Sequence, residues 1–149
     1  MNFLISATEF KKNLFKKENI FFIIFLIIIF FLDRLTKFYI INNHNENTYY
    51  VNDYINFDLI WNIGIGFGLL STNSSLIYNL VTVLIGIVIF CLIYVFTISN
   101  KVDKFIYSTI VGGALGNFYD RIAYKAVPDF VDLHYDNFHW FTFNVADIF

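Results

Sequence analysis

Residues 76–98 contain no charged side chain, and this stretch limits the possible folds more than any other part of the sequence. A helix of about 20 apolar residues crosses the hydrocarbon core of a bilayer. A second apolar stretch covers residues 20–41, and a shorter, glycine-rich one covers residues 105–121. Apolar residues make up 58% of the chain and charged residues 15%, which is unusual for a soluble domain. The sequence therefore predicts an all-α membrane protein, a transmembrane helix bundle with these three spans.

The lysines predict the orientation of the spans. They precede the first span and separate the second from the third, at Lys11, Lys12, Lys16, Lys17, Lys101 and Lys104. Residues 42–75 contain no lysine or arginine. Short loops rich in Lys and Arg stay in the cytoplasm. We therefore expect the lysine-rich ends to be cytoplasmic and residues 42–75 to lie outside.

Charge, cysteine and histidine content argue against several other classes. The formal net charge is −2, so the chain does not attract the negatively charged backbone of nucleic acids, and we do not expect a nucleic-acid-binding protein. Cys91 is the single cysteine and lies in an apolar stretch, so we interpret it as a buried packing residue. His44, His134 and His139 are scattered and no CxxC pair is present, so we expect no metal.

Ionisable residues inside or beside the apolar stretches need a physical explanation. Asp33 and Lys37 are four residues apart, so on a helix they share a face and can form an ion pair. Ionisable groups at membrane depth usually face a partner or a cavity. A structural ion pair is the simpler interpretation here, and Asp120 with Arg121 allows the same one.

The last third of the chain is acidic and allows two interpretations. Five carboxylates lie within residues 120–147, namely Asp120, Asp129, Asp132, Asp136 and Asp147. Two carboxylates that share one proton could activate a water molecule and protonate a leaving amide. Alternatively, these acids are solvated loop residues. Spacing and composition do not choose between the two interpretations.

Four motifs follow one another along the chain. They are D-x-x-x-K at 33–37, N-I-G-I-G-F at 62–67, G-G-A-L-G-N-F-Y-D-R at 112–121, and V-P-D-F at 127–130 with F-N-V-A-D at 143–147. In this order they resemble the lipoprotein signal peptidase family, also called signal peptidase II, whose members are aspartyl proteases of family A8. The resemblance implies a single membrane-embedded peptidase domain over residues 1–149 and a four-helix bundle with both termini in the cytoplasm.

The resemblance also implies site residues. Asp129 and Asp147 match the family's two catalytic aspartates. The residues expected to bind substrate or support the site are Asn62, Gly64, Asn117, Asp120, Arg121, Asn144, Asp33 and Lys37. Among these, Asp33, Lys37 and Asp120 are expected to make structural polar contacts. The family requires no metal or other cofactor.

The implied substrate is a lipoprotein precursor whose signal peptide precedes a cysteine that carries diacylglycerol, and cleavage occurs just before that cysteine. The expected partners are these precursors and membrane lipids. The expected location is the bacterial inner (cytoplasmic) membrane, with the active site near the extracytoplasmic face. Residues 42–75 would form a small extracytoplasmic β cradle, and residues 122–138 would match the family's mobile outer helix or lid.

The family continues beyond the last motif into a fourth helix of about twenty residues. This span would begin at about residue 144, and only its start precedes Phe149, so it would be truncated. Two alternatives therefore stand beside an active peptidase. One is an inactive truncated paralogue that still binds lipoprotein precursors. The other is a non-catalytic membrane protein that uses Asp33, Lys37 and Arg121 to bind an ion or a partner.

Overall fold

The computed structural model describes residues 6–44, 48–64 and 75–149. Its helices are α1 (Ala7–Leu14), α2 (Lys17–Asn43), α3 (Ser75–Ile98) and α4 (Lys101–Ala123). Its strands are β1 (Tyr49–Asn52), β2 (Ile55–Asn62), β3 (Val127–Tyr135) and β4 (Phe138–Phe143). A short 3-10 helix, Val145–Ile148, follows β4. Residues 65–67 of the second motif and parts of the predicted outer segment, at 45–47 and 65–74, lie outside the described residues.

The three predicted spans are all helical. Within the described ranges, α2 and α3 are long and apolar enough to cross a membrane. Their outer faces expose large apolar side chains, such as Phe38 at 67% and Phe90 at 64%. Surfaces of this kind need an apolar solvent. The third predicted span is the 23-residue helix α4, which is less apolar because it carries buried polar residues and glycines along its length.

Helices α2 and α4 run parallel and pack on each other, and α3 packs against α4 in the opposite direction. Near the start of both helices, Lys104 Nζ donates to Asn19 Oδ1 over 2.7 Å. Further along, Gly112 of α4 packs against Ile29 of α2. The end of α4 lies near the start of α3, because the guanidinium of Arg121 is 5.8 Å from the ring centre of Tyr78. The lysine-rich starts of α2 and α4 therefore share one end of the bundle.

The strands form one antiparallel sheet in the order β1-β2-β3-β4. This finding confirms a small β-sheet. Residues 42–75 supply β1 and β2, whereas β3 and β4 come from the last part of the chain. Residues 122–138 do not form an outer helix or lid, because residues 127–135 are β3, a central strand paired with both β2 and β4. Successive side chains of β3 leave opposite faces of the sheet, as they do in any strand. A turn with Asp136 at φ 54° leads from β3 into β4.

Cys91 is exposed on α3, so the expectation of a buried packing residue is wrong. An apolar helix in a membrane protein presents part of its surface to lipid. Apolar neighbours in the sequence therefore do not imply burial in the protein.

Candidate active site

Asp129 lies near the start of β3 and is almost completely buried, with 4% of its surface exposed. Each of its carboxylate oxygens accepts a hydrogen bond from a side-chain amide. Asn62, at the end of β2, donates to Oδ2 over 2.8 Å, and Asn144 donates to Oδ1 over 2.6 Å. Asn62 reaches Asp129 because β2 and β3 pair here, with Asn62 opposite Val127. A carboxylate in such surroundings is both desolvated and oriented.

Asp147 lies on the 3-10 helix and is exposed at the edge of the site. Its Oδ2 accepts a hydrogen bond from the backbone N–H of Asn144 over 3.0 Å, and its Oδ1 accepts one from Asn117 Nδ2 over 2.9 Å. The first contact belongs to a capping box, in which Asn144 caps the helix and Asp147 bonds back to the cap. The carboxylate of Asp147 is thus fixed from both sides.

Asn144 connects the two acids. Its Nδ2 donates to Asp129, its Oδ1 accepts from Ala146 N over 2.9 Å, and its backbone N–H donates to Asp147. Asn144 is fully buried. The F-N-V-A-D motif therefore combines a helix cap with a bridge between Asp129 and Asp147.

The 3-10 helix packs tightly against α2 and α4. Ala146 is buried, and its backbone N–H donates to Asp33 Oδ1 of α2 over 3.0 Å. On α4, Gly113 lies so close that a Cβ atom there would be 2.6 Å from the carbonyl oxygen of Ala146. A Cβ atom on Gly116 would overlap the carboxylate of Asp33. The glycines of the ten-residue motif thus allow the approach that positions Asp147.

Lys37 is fully buried at the centre of a polar network between α2 and α4. Its Nζ is 2.9 Å from Asp33 Oδ2, 2.7 Å from Asp120 Oδ2 and 2.6 Å from Asn117 Oδ1. The ion pair predicted between Asp33 and Lys37 is confirmed. Because Asn117 Oδ1 accepts from Lys37, the Nδ2 of the same amide points to Asp147.

Arg34 is a member of this network that the sequence analysis did not assign to the site. Its guanidinium pairs with Asp120 Oδ1 and lies 4.6 Å from the ring centre of Tyr119. Two cations therefore face the carboxylates of Asp33 and Asp120, which compensates for burial of these charges. The position of Arg34 inside an apolar span, where a cation needs a partner, is the sequence signal that could have indicated this role.

Arg121 and Asn62 fix the chain just after β2. Arg121 donates to the carbonyl oxygen of Gly64 over 2.6 Å, and the backbone N–H of Gly64 donates to Asn62 Oδ1 over 2.8 Å. Gly64 is buried between them. Asn62 thereby keeps its Nδ2 free to donate to Asp129. All ten residues named from the sequence belong to this connected set of contacts.

Burial raises the pKa of Asp129 from its ordinary value of 3.8 to about 6. Hydrogen bonds from Asn144 and Asn62 oppose this rise in the pKa, and the negative charge of Asp147 adds to it. A buried acid near an exposed acid is an arrangement in which one carboxyl keeps a proton while the other is ionised. Such a pair beside an apolar helix bundle has the carboxylates that an aspartic hydrolase in a membrane needs.

Comparisons with known proteins agree with this class. The sequence pattern of Signal peptidase (SPase) II matches residues 24–149. A lipoprotein signal peptidase of Pelagibacter ubique is 47% identical over 130 residues, which is 85% of this chain and 78% of that protein. Another, from Francisella tularensis subsp. novicida, is 36% identical over 141 residues, which is 91% of this chain and 86% of that protein. This chain belongs to the signal peptidase II family.

Two solved structures are similar to this chain, and both are bacterial membrane enzymes determined by the in meso method. The first has a TM-score of 0.65 and 29% sequence identity to this chain. The matched region covers 87% of this chain and 77% of the chain in that structure. The second has a TM-score of 0.63 and 28% sequence identity. The matched region covers 87% of this chain and 82% of the chain in that structure. The protein is therefore a membrane protein, and its family makes it an aspartic protease.

Proposed function

We propose that Asp129 and Asp147 are the catalytic pair with which this protein removes the signal peptide from lipoprotein precursors. The observation that carries the proposal is the bridge through Asn144, which contacts both carboxylates. The activity itself is that of the lipoprotein signal peptidases to which the chain is similar.

The different surroundings of the two acids suggest their roles. Asp147 is exposed and can act as the base that takes a proton from water, whose oxygen then attacks the scissile carbonyl carbon. Asp129 is buried and can donate its proton to the carbonyl oxygen as the tetrahedral intermediate forms. Collapse of this intermediate breaks the C–N bond, and a proton passes from the pair to the leaving amine. Asn62, Asn117 and Asn144 keep the two carboxylates in place.

The bundle supports an active site at the extracytoplasmic end. Lys17 and Lys101 lie at the starts of α2 and α4, which share one end of the bundle. Asp147 contacts Asn117 in the second half of α4, and Asp129 lies close to it at the edge of the sheet, so both acids lie toward the other end of the bundle. Since lysine-rich ends stay in the cytoplasm, the acids would face outward in a bacterial inner membrane. In this arrangement α2, α3 and α4 are three spans and the sheet is the extracytoplasmic cradle.

A groove on the membrane-facing side of the bundle suits a lipid-modified substrate. It has a volume of about 460 Å³ and lies between α2 and α4. Its lining is almost entirely apolar and includes Leu26, Phe30, Leu115 and Phe118. An acyl chain or an apolar signal peptide could enter it from the bilayer. We therefore propose that the substrate is a precursor with a diacylglyceryl-modified cysteine, cut just before that cysteine.

The substrate proposal is tested with two precursors of identical sequence, one carrying diacylglycerol on its cysteine and one unmodified. The protein is reconstituted in lipid vesicles, and mass spectrometry of the products identifies the cleaved bond. We expect kcat/KM to be at least about 100-fold higher for the modified precursor, because buried acyl chains contribute about 0.8 kcal/mol per methylene. Equal cleavage of both precursors, or a cut elsewhere, would contradict the proposal.

The pH dependence of kcat/KM should report the pKa of Asp129 in the free protein. The proton that Asp129 donates is present below its pKa of about 6 and is lost above it. We expect kcat/KM to fall about tenfold for each pH unit above this value. The infrared band of a protonated carboxyl should disappear over the same pH range and should be missing in Asp129→Asn. A rate that stays constant from pH 5 to 9 would show that Asp129 is not the acid.

A further inference from the structure

Asp132, His134 and His139 form a cluster on the β3–β4 hairpin. One ligand atom of each residue lies within 4.8 Å of the others. His139 Nδ1 is 2.8 Å from Asp132 Oδ2, and His134 Nδ1 is 3.6 Å from the same oxygen. We propose that these three side chains bind a divalent transition-metal ion, with Zn²⁺ as the ion that best fits two imidazoles and a carboxylate.

The register of the hairpin builds the cluster. His134 of β3 lies directly opposite His139 of β4, and their rings stack with centres 5.3 Å apart. A register shift between Leu133 and His134 produces this pairing. Asp132 precedes His134 by two residues and so leaves β3 on the same face. His134 and His139, which look scattered in the sequence, therefore become neighbours, and the spacing of the histidines did not predict this.

A second observation points to a ligand. The side chain of His134 is only 9% exposed, and its Nδ1 is a buried atom without a hydrogen-bond partner among the described residues. An unsatisfied buried polar atom costs about 1–3 kcal/mol. The carboxylate beside it, Asp132, is also buried, with its side chain 6% exposed. A metal ion between them would satisfy the nitrogen and neutralise the carboxylate.

The distances fit a small first-row ion. Zinc binds nitrogen and oxygen ligands at about 2.0–2.2 Å, so neighbouring ligand atoms of a tetrahedral site are about 3.3 Å apart. The measured separations of 2.8 and 3.6 Å bracket this value. Three protein ligands leave the fourth position for water. The side chain of His139 is 60% exposed and gives the ion a path from solvent.

The neighbouring surface favours a cation. His134 also lines a cleft of about 480 Å³, whose wall includes the carboxylates of Asp53 and Asp136. Clefts lined by one sign of charge raise the local concentration of ions of the opposite charge.

A bound ion would connect β3 to β4, whose last residue, Phe143, directly precedes Asn144. Because Asp129 and Asp132 are three residues apart on β3, their side chains leave opposite faces, and the metal site is separate from the proposed catalytic pair.

The test is metal binding by the untagged chain in lipid nanodiscs. Equilibrium dialysis against micromolar Zn²⁺, followed by elemental analysis, should give one bound ion per chain. His139→Ala and Asp132→Asn should each weaken binding at least about tenfold. Of the three histidines in the chain, His44 lies outside the cluster, so His44→Ala is the matched control and should bind as the wild type does.

A spectroscopic measurement complements the variants, because Asp132 is buried and its substitution could disturb the hairpin. Co²⁺ bound in place of Zn²⁺ should show visible absorption bands typical of a four-coordinate nitrogen and oxygen site. These bands should disappear in His139→Ala, whose side chain is exposed and therefore safe to remove. Binding below one ion per chain at these concentrations, or binding unchanged in His139→Ala, would overturn the proposal.

Discussion

Replacement of either proposed catalytic acid by asparagine is expected to lower kcat/KM for the lipid-modified precursor by about 10³-fold or more. Asparagine has nearly the same shape as aspartate, so Asp129→Asn and Asp147→Asn preserve packing. They remove the proton donor in one case and the base in the other. Release of the signal peptide from vesicle-embedded precursor, measured by mass spectrometry, checks the rates.

Measurement of the free energy of unfolding distinguishes a loss of catalysis in these variants from a loss of folded protein. The pKa of Asp129 is raised in the folded protein, so its contribution to stability is present below about pH 4 and is lost as the pH rises through about 6. At neutral pH, Asp129→Asn avoids burial of a charge, but its amide N–H group faces the donating amide of Asn62 or Asn144, and the two effects offset each other. We therefore expect its free energy of unfolding to stay within about 2 kcal/mol of the wild-type value. Asp136→Asn is the matched control, since Asp136 lies in an exposed turn at φ 54°, which asparagine tolerates. Wild-type rates in either catalytic variant would disprove its role.

Addition of one methyl group to the glycine motif should be nearly as damaging. In Gly113→Ala, the new Cβ would lie 2.6 Å from the carbonyl oxygen of Ala146, and backbone must move. The 3-10 helix that carries Asp147 would shift, and a displacement of about 1 Å can cost 100-fold in rate. We therefore expect kcat/KM to fall at least about 100-fold, with the helical content measured by circular dichroism unchanged.

Gly86→Ala on α3 is the control for this prediction. Its Cβ would meet only the ring edge of Phe118 at 3.1 Å, and a side chain can adjust where backbone cannot. Alanine is also the better helix former by about 1 kcal/mol. Because Phe118 also lines the proposed substrate groove, a shift of its ring acts on KM, and kcat of Gly86→Ala should stay within about threefold of the wild type, whereas kcat of Gly113→Ala should fall. If Gly113→Ala behaved in the same way, close packing of α4 against the 3-10 helix would not position Asp147.

The helices and one ion pair could be predicted from the sequence alone. Membrane helices are recognisable because the bilayer sets their length, and residues 76–98 predicted α3 to within one residue of its start. The pairing of Asp33 with Lys37 follows from the helical repeat and is present. Such features depend only on neighbours along the chain.

Features that depend on tertiary contacts were not predictable in this way. The proximity of Asp129 to Asp147 came from the resemblance to the family, because their spacing of 18 residues is compatible with many folds. Residues 127–131, V-P-D-F-V, show neither the alternation of a strand nor the repeat of a helix, and this segment is a strand because it pairs with β2 and β4. The contacts of Asn144 with both acids required the structure, since they combine a cap and a bridge between elements.

The two alternatives from the sequence are less well supported than the peptidase. The non-catalytic protein would use Asp33, Lys37 and Arg121 for an ion or a partner. In the structure, Lys37 contacts both Asp33 and Asp120, and Arg121 binds the Gly64 carbonyl. The inactive paralogue predicts a site that is not assembled, whereas Asn144 and Asn117 orient both acids. Family membership agrees with the peptidase.

The most direct test of a functional pair is a double-mutant cycle in the cleavage reaction. Single-turnover rates with enzyme in excess are measured for the wild type, Asp129→Asn, Asp147→Asn and the double variant, all in the same lipid vesicles. Residues that act as one unit give strongly non-additive losses. We predict that the double variant retains the rate of the slower single variant within about threefold. A double variant whose loss equals the product of the two single losses would show that Asp129 and Asp147 act independently.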